Sequence, residues 1–288
     1  MNLKERHEKL GGKFVQIDLP TTIRINPLKL DEKKIIERLK QRKIQLKKVS
    51  YLDYGYIAEA NFSVGSTQEY LQGYYYLQEG ASQIPVQVLD PKPGELVIDM
   101  CASPGGKTTQ IAQLMKNKGQ IIALDIGKRT EKLCQNIERM GAENIIVYKR
   151  DARFFDLRGK VDKILLDAPC SGNFVIEKDW YKKRTINDIK TCARTQKELL
   201  AAGIDNLKDG GILIYSTCSL EPEENEMIID WALSEFEISL EKINLDIGDA
   251  GLVEVDGQKL NPEVKKCKRF WPHKTGTQGF FIAKFRKD

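Results

Sequence analysis

The chain has 288 residues, 41% hydrophobic and 30% charged, the balance of a globular protein rather than a disordered or fibrous one. Its formal charge is +5, and the segment from Gln258 to Asp288 holds nine Lys and Arg against two acids, which fits a polyanion partner or a solubilising tail equally. No run reaches the roughly 18 apolar residues of a membrane span, and the start MNLKERHEKLGGK lacks the apolar stretch of a signal peptide, so a cytoplasmic protein with no membrane partner is expected.

In chain order, TTIRINPL reads as a strand closed by a proline, and DEKKIIERLKQRK as an amphipathic helix with Ile35, Ile36 and Leu39 on one face. VSYLDYGYIAEA is strand-like, and residues 1–62 are expected to form a small α+β module. After the loop at Pro-Lys-Pro-Gly the pattern becomes regular. LVIDMCA, QIIALDI, NIIVYKRD, KILLDAP and GGILIYSTC read as strands; TTQIAQLMKN, RTEKLCQNIERMG and ARTQKELLAAGIDNL read as helices between them. Such alternation predicts a doubly wound, mostly parallel sheet over residues 63–288, with ligands at the C-terminal ends of the strands.

The cysteines are Cys101, Cys134, Cys170, Cys192, Cys218 and Cys267, and the histidines are His7 and His273. No two cysteines are spaced C-x-x-C, so no metal is expected, and a reducing compartment argues against disulfides. Cys101, Cys134, Cys192 and Cys267 are expected to pack as small hydrophobes. Cys170 and Cys218 differ, because each ends a strand.

Strand, acid, Pro-Gly-Gly turn and helix follow one another in DMCASPGGKT, which opens a backbone approach to a ligand at a helix N-terminus. A P-loop fails, because Cys101 stands where its first glycine belongs, and G-x-G-x-x-G is absent. Asp99, Asp125, Asp151 and Asp167 end four consecutive strands. A helix cap explains any one of them; together they suit a ribonucleoside with several polar groups, such as S-adenosylmethionine.

With DMCASPGGKT, LDAPCSG and YSTCSLEPEENE in order, and with TIRINPLK, YYYLQEGAS and KRFWPHKTGTQGFF around them, the chain resembles the Nop/Sun RNA cytosine-5 methyltransferases of the RsmB/NOP type, and among them archaeal-type tRNA enzymes. The resemblance implies a Rossmann-like class I methyltransferase core with a seven-stranded sheet and a small N-terminal module, and S-adenosylmethionine as cofactor. It implies that Cys101, Ala102, Ser103, Pro104, Gly105, Gly106 and Lys107 wrap the methionine end, Asp125 holds the ribose, Asp151 faces the adenine, and Asp167 lies between cofactor and base. Phe174 and Gln278 stand where relatives often have Gly and Asp.

Carbon 5 of cytosine is a poor nucleophile until a thiolate adds to carbon 6. After methyl transfer the carbon 5 proton must leave before the thiolate is expelled, so one group attacks and another assists release. Chemistry alone leaves the two cysteines interchangeable: in DNA cytosine methyltransferases the Pro-Cys cysteine attacks. The RNA family resembled here implies Cys218 as nucleophile, Cys170 as the releasing residue and Asp167 at ring N3.

The cytosine must be flipped out of its stack, and RNA contacts are expected from Arg24, Lys268, Arg269 and His273, with Phe270 and Trp271 beside them and Tyr74, Tyr75 and Tyr76 as stacking candidates. The helix with Arg38, Lys40, Arg42 and Lys43 fits an RNA surface or a solvated face. The expected function is methylation of cytosine carbon 5 in RNA by a monomer, with tRNA ahead of rRNA because the chain is short and lacks long basic extensions. A nucleotide-hydrolysing enzyme and a non-catalytic RNA-binding platform are the alternatives from other classes.

Overall fold

The computed structural model describes residues 3–15 and 17–288. They divide into two units: one is Pro20–Ala152, the other joins the residues up to Leu19 with Arg153–Asp288. The first described helix, α1 (Leu3–Lys9), belongs to the latter unit.

The unit Pro20–Ala152 opens with an antiparallel sheet of β1 (Thr22–Ile25), β2 (Gln45–Lys48), β3 (Gly55–Glu59) and β4 (Tyr75–Leu77), in the order β2-β3-β1-β4. Helix α2 (Glu32–Gln41) starts at Asp31, whose carboxylate accepts the Lys33 N–H at 3.0 Å, a side-chain N-cap. Ile35 and Leu39, one turn apart, share a buried cluster with Ile23, Ile25 and Tyr75. After α3 (Gln68–Leu71) and α4 (Gly80–Leu89), the chain alternates β5 (Leu96–Asp99), α5 (Gly106–Leu114), β6 (Gln120–Asp125), α6 (Arg129–Met140) and β7 (Ile145–Lys149). Strand β6 pairs in parallel with both β5 and β7.

In the other unit, β8 (Val161–Asp167) pairs in parallel with β9 (Leu207–Thr217). Between them lie α7 (Trp180–Lys183) and α8 (Ile186–Asn206), the latter opened by a capping box of Thr185 and Asp188. Beyond β9 come α9 (Glu226–Glu235), β10 (Ile238–Leu240), β11 (Asp249–Ala250), the hairpin β12 (Glu254–Val255) and β13 (Gln258–Lys259), β14 (Lys268–Phe270), α10 (Pro272–Thr275) and β15 (Phe280–Lys287). Strand β15 runs antiparallel to β9 and also pairs with β14 and β10.

The strand–helix alternation from β5 onward follows the sequence pattern. The expected break at residue 62 does not match the structure: β4, at 75–77, pairs with β1, and helix α1 belongs with the C-terminal residues. Within VSYLDYGYIAEA only Gly55–Glu59 forms a strand, paired with the unanticipated β2. Among the described residues no helix is long and apolar enough to cross a membrane.

Candidate active site

Parallel pairing of β8 with β9 sets Asp167 opposite Ser216, and the Ser216 hydroxyl donates to Asp167 Oδ1 at 2.7 Å. Cys170 follows Asp167 by three residues and Cys218 follows Ser216 by two. Their sulfurs lie 2.9 Å apart in a hydrogen-bonding contact, both half-buried, well beyond the S–S bond length of about 2.05 Å. The hydrogen bond to Cys218, then burial, then the charges of Cys218 and Glu224 push the Cys170 thiol well above the usual thiol range. Cys170 therefore holds its proton beside the Cys218 sulfur.

The loop after Cys170 is fixed at every polar atom of Ser171. Its N–H donates to Glu224 Oε2 at 3.0 Å and its hydroxyl to Glu224 Oε1, while its carbonyl accepts from Trp180 Nε1 at 2.7 Å and Arg184 Nε at 3.1 Å. Asn173 Nδ2 donates to the Cys218 carbonyl at 2.7 Å and to the Gly279 carbonyl at 3.2 Å. Gly279 has no room for a side chain, since an added Cβ would meet Leu220 at 2.8 Å.

The acid-rich stretch 221–226 has no role legible in the sequence, yet Glu221, Glu224, Asn225 and Glu226 are fully buried. Each carboxylate has partners, as burial of charge requires. Glu221 meets Arg6 and His7, with His7 Nε2 at 2.5 Å; Glu226 meets Arg269; Glu224 receives Ser171, Ser219 and Gln196. Composition does not separate a buried acid from a solvated one, so only the fold reveals this role.

In the unit Pro20–Ala152, β5 delivers the loop 100–105 to the start of α5. Gly105 caps that helix with φ +104°, a backbone state that L side chains rarely adopt. The Ala102 carbonyl accepts from the Gly105 N–H at 2.8 Å and from the Thr108 hydroxyl at 3.2 Å. Asp125, 6% exposed, accepts the Ser103 N–H at 2.8 Å and the Ile126 N–H at 2.7 Å, one on each oxygen. Each carboxylate oxygen retains a lone pair for a further donor, so the chemistry of this carboxylate fits a ribose diol. Asn136 Nδ2 holds the Pro104 carbonyl at 2.8 Å. Cys101, Gly106, Lys107 and Asp151 are half-buried. Asp99 is 1% exposed and accepts the Thr108 hydroxyl at 2.8 Å, so it braces the loop from inside.

Two of the expected RNA contacts, Arg24 and Arg269, lie in the interior, whereas Lys268 and His273 are half-buried. Arg24 is 1% exposed. Its guanidinium donates to the Gly106 carbonyl at 2.5 Å, to Gln78 Oε1 at 2.6 Å, to Thr109 Oγ1 at 2.9 Å and to Gln113 Oε1 at 3.1 Å, so it supports the first turn of α5. Arg269 is fully buried against Glu226, and Phe270 and Trp271 are buried beside it. Lys268 donates to the carbonyls of Leu245 and Gly248. His273, whose Nδ1 accepts the Lys13 N–H at 3.3 Å, is half-buried, and burial followed by the charges of Lys274 and Lys13 lowers its pKa. Tyr75 and Tyr76 are buried; Tyr74 is half-buried, with Arg38 5.5 Å from its ring centre. Lys265 and Lys274 of the C-terminal segment are exposed, and a run of exposed cations lies on α2 and after it: Lys33, Lys34, Arg38, Lys40, Arg42 and Lys43. Cys134, expected to pack, is exposed. Phe174 lies in an aromatic cluster, its ring 5.1 Å from Phe14 and stacked at 5.5 Å on Tyr181.

The family model of the 16S rRNA methyltransferase RsmB/F matches residues 86–286, and that of the N-terminal domain of the 16S rRNA methyltransferase RsmF matches residues 3–80. The chain is 40% identical to the 28S rRNA (cytosine-C(5))-methyltransferase of Mus musculus, over 94% of this chain and 36% of that protein; it thus spans about a third of that relative's length. It is 38% identical to the tRNA (cytosine(49)-C(5))-methyltransferase of Pyrococcus abyssi, over 99% of this chain and 95% of the other. The crystal structure of NSun6 from Pyrococcus horikoshii with SFG matches at a TM-score of 0.82 and 30% identity, covering 94% of this chain and 92% of that one. With this fold, the glycine loop and the two strand-end cysteines in place, the chain belongs to the RsmB/F family of Nop/Sun RNA cytosine-5 methyltransferases.

Proposed function

We propose that the protein methylates carbon 5 of cytosine in RNA, with S-adenosylmethionine as cofactor and tRNA as substrate. The observation that carries this reading is the pair of sulfurs at the exits of β8 and β9. Cys218 Sγ adds to carbon 6 of the ring, and a hydrogen bond from the Asp167 carboxyl at N3 draws electrons toward that nitrogen. Carbon 5 becomes enamine-like and can form the new carbon–carbon bond with the methyl group that a bound cofactor would release from its sulfonium sulfur. Its proton then leaves to a base, the electron pair restores the C5–C6 double bond, and the C6–Sγ bond breaks. Cys170, held as a thiol, donates a hydrogen bond to the departing Cys218 thiolate, steadies its negative charge and so assists release.

Bound at the glycine loop, S-adenosylmethionine would supply an electrophilic methyl group on a sulfonium centre. Asp125 would hold the ribose hydroxyls, residues 101–107 the methionine end and Asp151 the adenine side. The SFG-bound relative supports that cofactor class, SFG being an analogue of S-adenosylmethionine. Exposed Lys33, Lys34, Arg38, Lys40, Arg42 and Lys43 would meet RNA phosphates. Arg24, Lys268 and Arg269 have structural partners and stay outside that set.

The tRNA reading draws support from the Pyrococcus abyssi relative, aligned along 95% of its length. A second reading, rRNA, draws support from the mouse relative. On the main reading the protein works in the cytoplasm as a monomer. Incubation with methyl-labelled cofactor and either total tRNA or rRNA, followed by nucleoside analysis, tests the activity and its substrate: labelled 5-methylcytidine in tRNA is expected, whereas label confined to rRNA supports the second reading, and no 5-methylcytidine in either refutes the activity.

A further inference from the structure

Cys170 and Cys218 sit on two separate loops that follow the last rung between them, the Ala168 N–H donating to the Ser216 carbonyl at 2.8 Å. Beyond that rung, side chains must fix the sulfurs at 2.9 Å. The residue next to each cysteine is a serine, and both serines are buried and directed at one carboxylate. Glu224 Oε1 accepts the hydroxyls of Ser171 and of Ser219, the latter at 2.7 Å. Its Oε2 accepts the Ser171 N–H at 3.0 Å and Gln196 Nε2 at 2.8 Å. Gln196 also donates to the Pro169 carbonyl at 2.9 Å, on the other side of Cys170.

We infer that Glu224 is a positioning residue that sets the spacing of the two catalytic sulfurs by clamping Ser171 and Ser219. This inference rests on the proposed cysteine chemistry for its consequence, but the clamp itself is independent of it. Glu224 is fully buried beneath the loops, and its hydrogen bonds run to the two serines and Gln196, so it acts through its neighbours. The clamp matters because a shift of about 1 Å in reacting groups costs up to roughly a hundredfold in rate. The step most sensitive to the spacing is release, which needs the Cys170 hydrogen at the departing Cys218 sulfur. Attack on carbon 6 needs only Cys218.

A buried carboxylate with four donors is replaced by glutamine at little geometric cost. The amide oxygen can take the Ser171 N–H and Gln196, while the amide NH₂ donates to two hydroxyls that are free to rotate. Alanine removes all four acceptor contacts. The clamp therefore predicts opposite behaviour for Glu224→Ala and Glu224→Gln, with Ser219→Ala as a milder cut on one arm should the alanine variant at 224 fold poorly.

Two readouts test it. The first uses no substrate: dibromobimane bridges two thiols only when they are close, and mass spectrometry of the digested protein reports the 170–218 bridge. Wild type and Glu224→Gln are expected to bridge readily, Glu224→Ala about tenfold more slowly or worse, and Ser219→Ala in between. The second is the ratio of denaturant-resistant protein–RNA adduct to 5-methylcytidine product, expected to rise about tenfold in Glu224→Ala and to stay near wild type in Glu224→Gln. Unchanged bridging in both Glu224→Ala and Ser219→Ala overturns the clamp, as does a parallel fall of adduct and product with a constant ratio, the mark of a merely destabilised protein. Lost bridging in a protein whose wild type forms no 5-methylcytidine upholds the clamp and refutes the proposed activity instead.

Discussion

Cys170 Sγ lies 2.9 Å from Cys218 Sγ, although the two residues are 48 positions apart with α7, α8 and β9 between them. Two parallel strands deliver them: Asp167 on β8 stands opposite Ser216 on β9, and each cysteine follows within three residues. The contact also sets the state of one of them, because the hydrogen bond to Cys218 and then burial raise the pKa of Cys170. A raised thiol pKa means less thiolate at a given pH, so Cys170 stays a thiol, a poor nucleophile that keeps its hydrogen beside the Cys218 sulfur.

Thiol labelling should follow the same physics. Burial pushes Cys192 up to about 11 and Cys267 well above the usual thiol range, and Cys267 is 1% exposed, whereas Cys134 is exposed on α6. At about pH 8, iodoacetamide should modify Cys134 first and Cys267 last, and the rate at Cys192 should climb as pH rises toward its raised pKa. Peptide mapping against time gives the order; modification of Cys267 ahead of Cys134 contradicts the structure.

Arg24 links β1 to the first turn of α5 through neutral acceptors. Arg24→Met should leave the Gln78, Gln113 and Gly106 oxygens short of donors, costing about 1–3 kcal/mol for each that water fails to reach. The loop at Gly105 and Gly106 should loosen with it. The expected result is a lower urea midpoint and weaker S-adenosylmethionine binding by calorimetry, with filter-binding affinity for RNA unchanged when the protein is folded. A drop in RNA affinity alone would return Arg24 to the RNA surface.

Charge on the two basic segments should separate into structure and recognition. Arg269→Met strands a fully buried Glu226, a change worth about 3–5 kcal/mol of stability. Lys33→Gln, Lys34→Gln and Lys40→Gln remove exposed cations from α2. Together they should barely change stability but weaken tRNA binding and flatten its salt dependence by about 0.7–0.9 in log–log slope for each phosphate no longer neutralised. Measuring affinity across a salt series checks this; an unchanged slope excludes α2 from the RNA surface.

The strands from Leu96 to Thr217 are legible in the sequence because each is a short apolar run closed by an acid or a cysteine, and their alternation with helices implies parallel pairing. The glycine loop is legible because few structures need Pro-Gly-Gly between a strand and a helix. What stays hidden depends on long-range partners. The sequence shows that Arg24 and Arg269 are cations but not that both are ringed by acceptors in the interior. It shows EPEENE as an acidic run but not that Glu221, Glu224 and Glu226 each anchor a different part of their unit. Strand β2, QLKK, has no apolar alternation to mark it, and its place comes from pairing with β3. Helix α8 begins well ahead of ARTQKELL, at the capping box of Thr185 and Asp188, because its first turns are polar and carry little apolar periodicity.

The division of labour between the two sulfurs is tested most directly by trapping. Wild type, Cys218→Ala and Cys170→Ala are each incubated with tRNA and methyl-labelled S-adenosylmethionine, then resolved by denaturing electrophoresis. Wild type should yield labelled 5-methylcytidine, Cys218→Ala neither product nor adduct, and Cys170→Ala a labelled adduct that survives denaturation. An adduct formed by Cys218→Ala, or 5-methylcytidine made by it at the wild-type rate, would contradict the assignment.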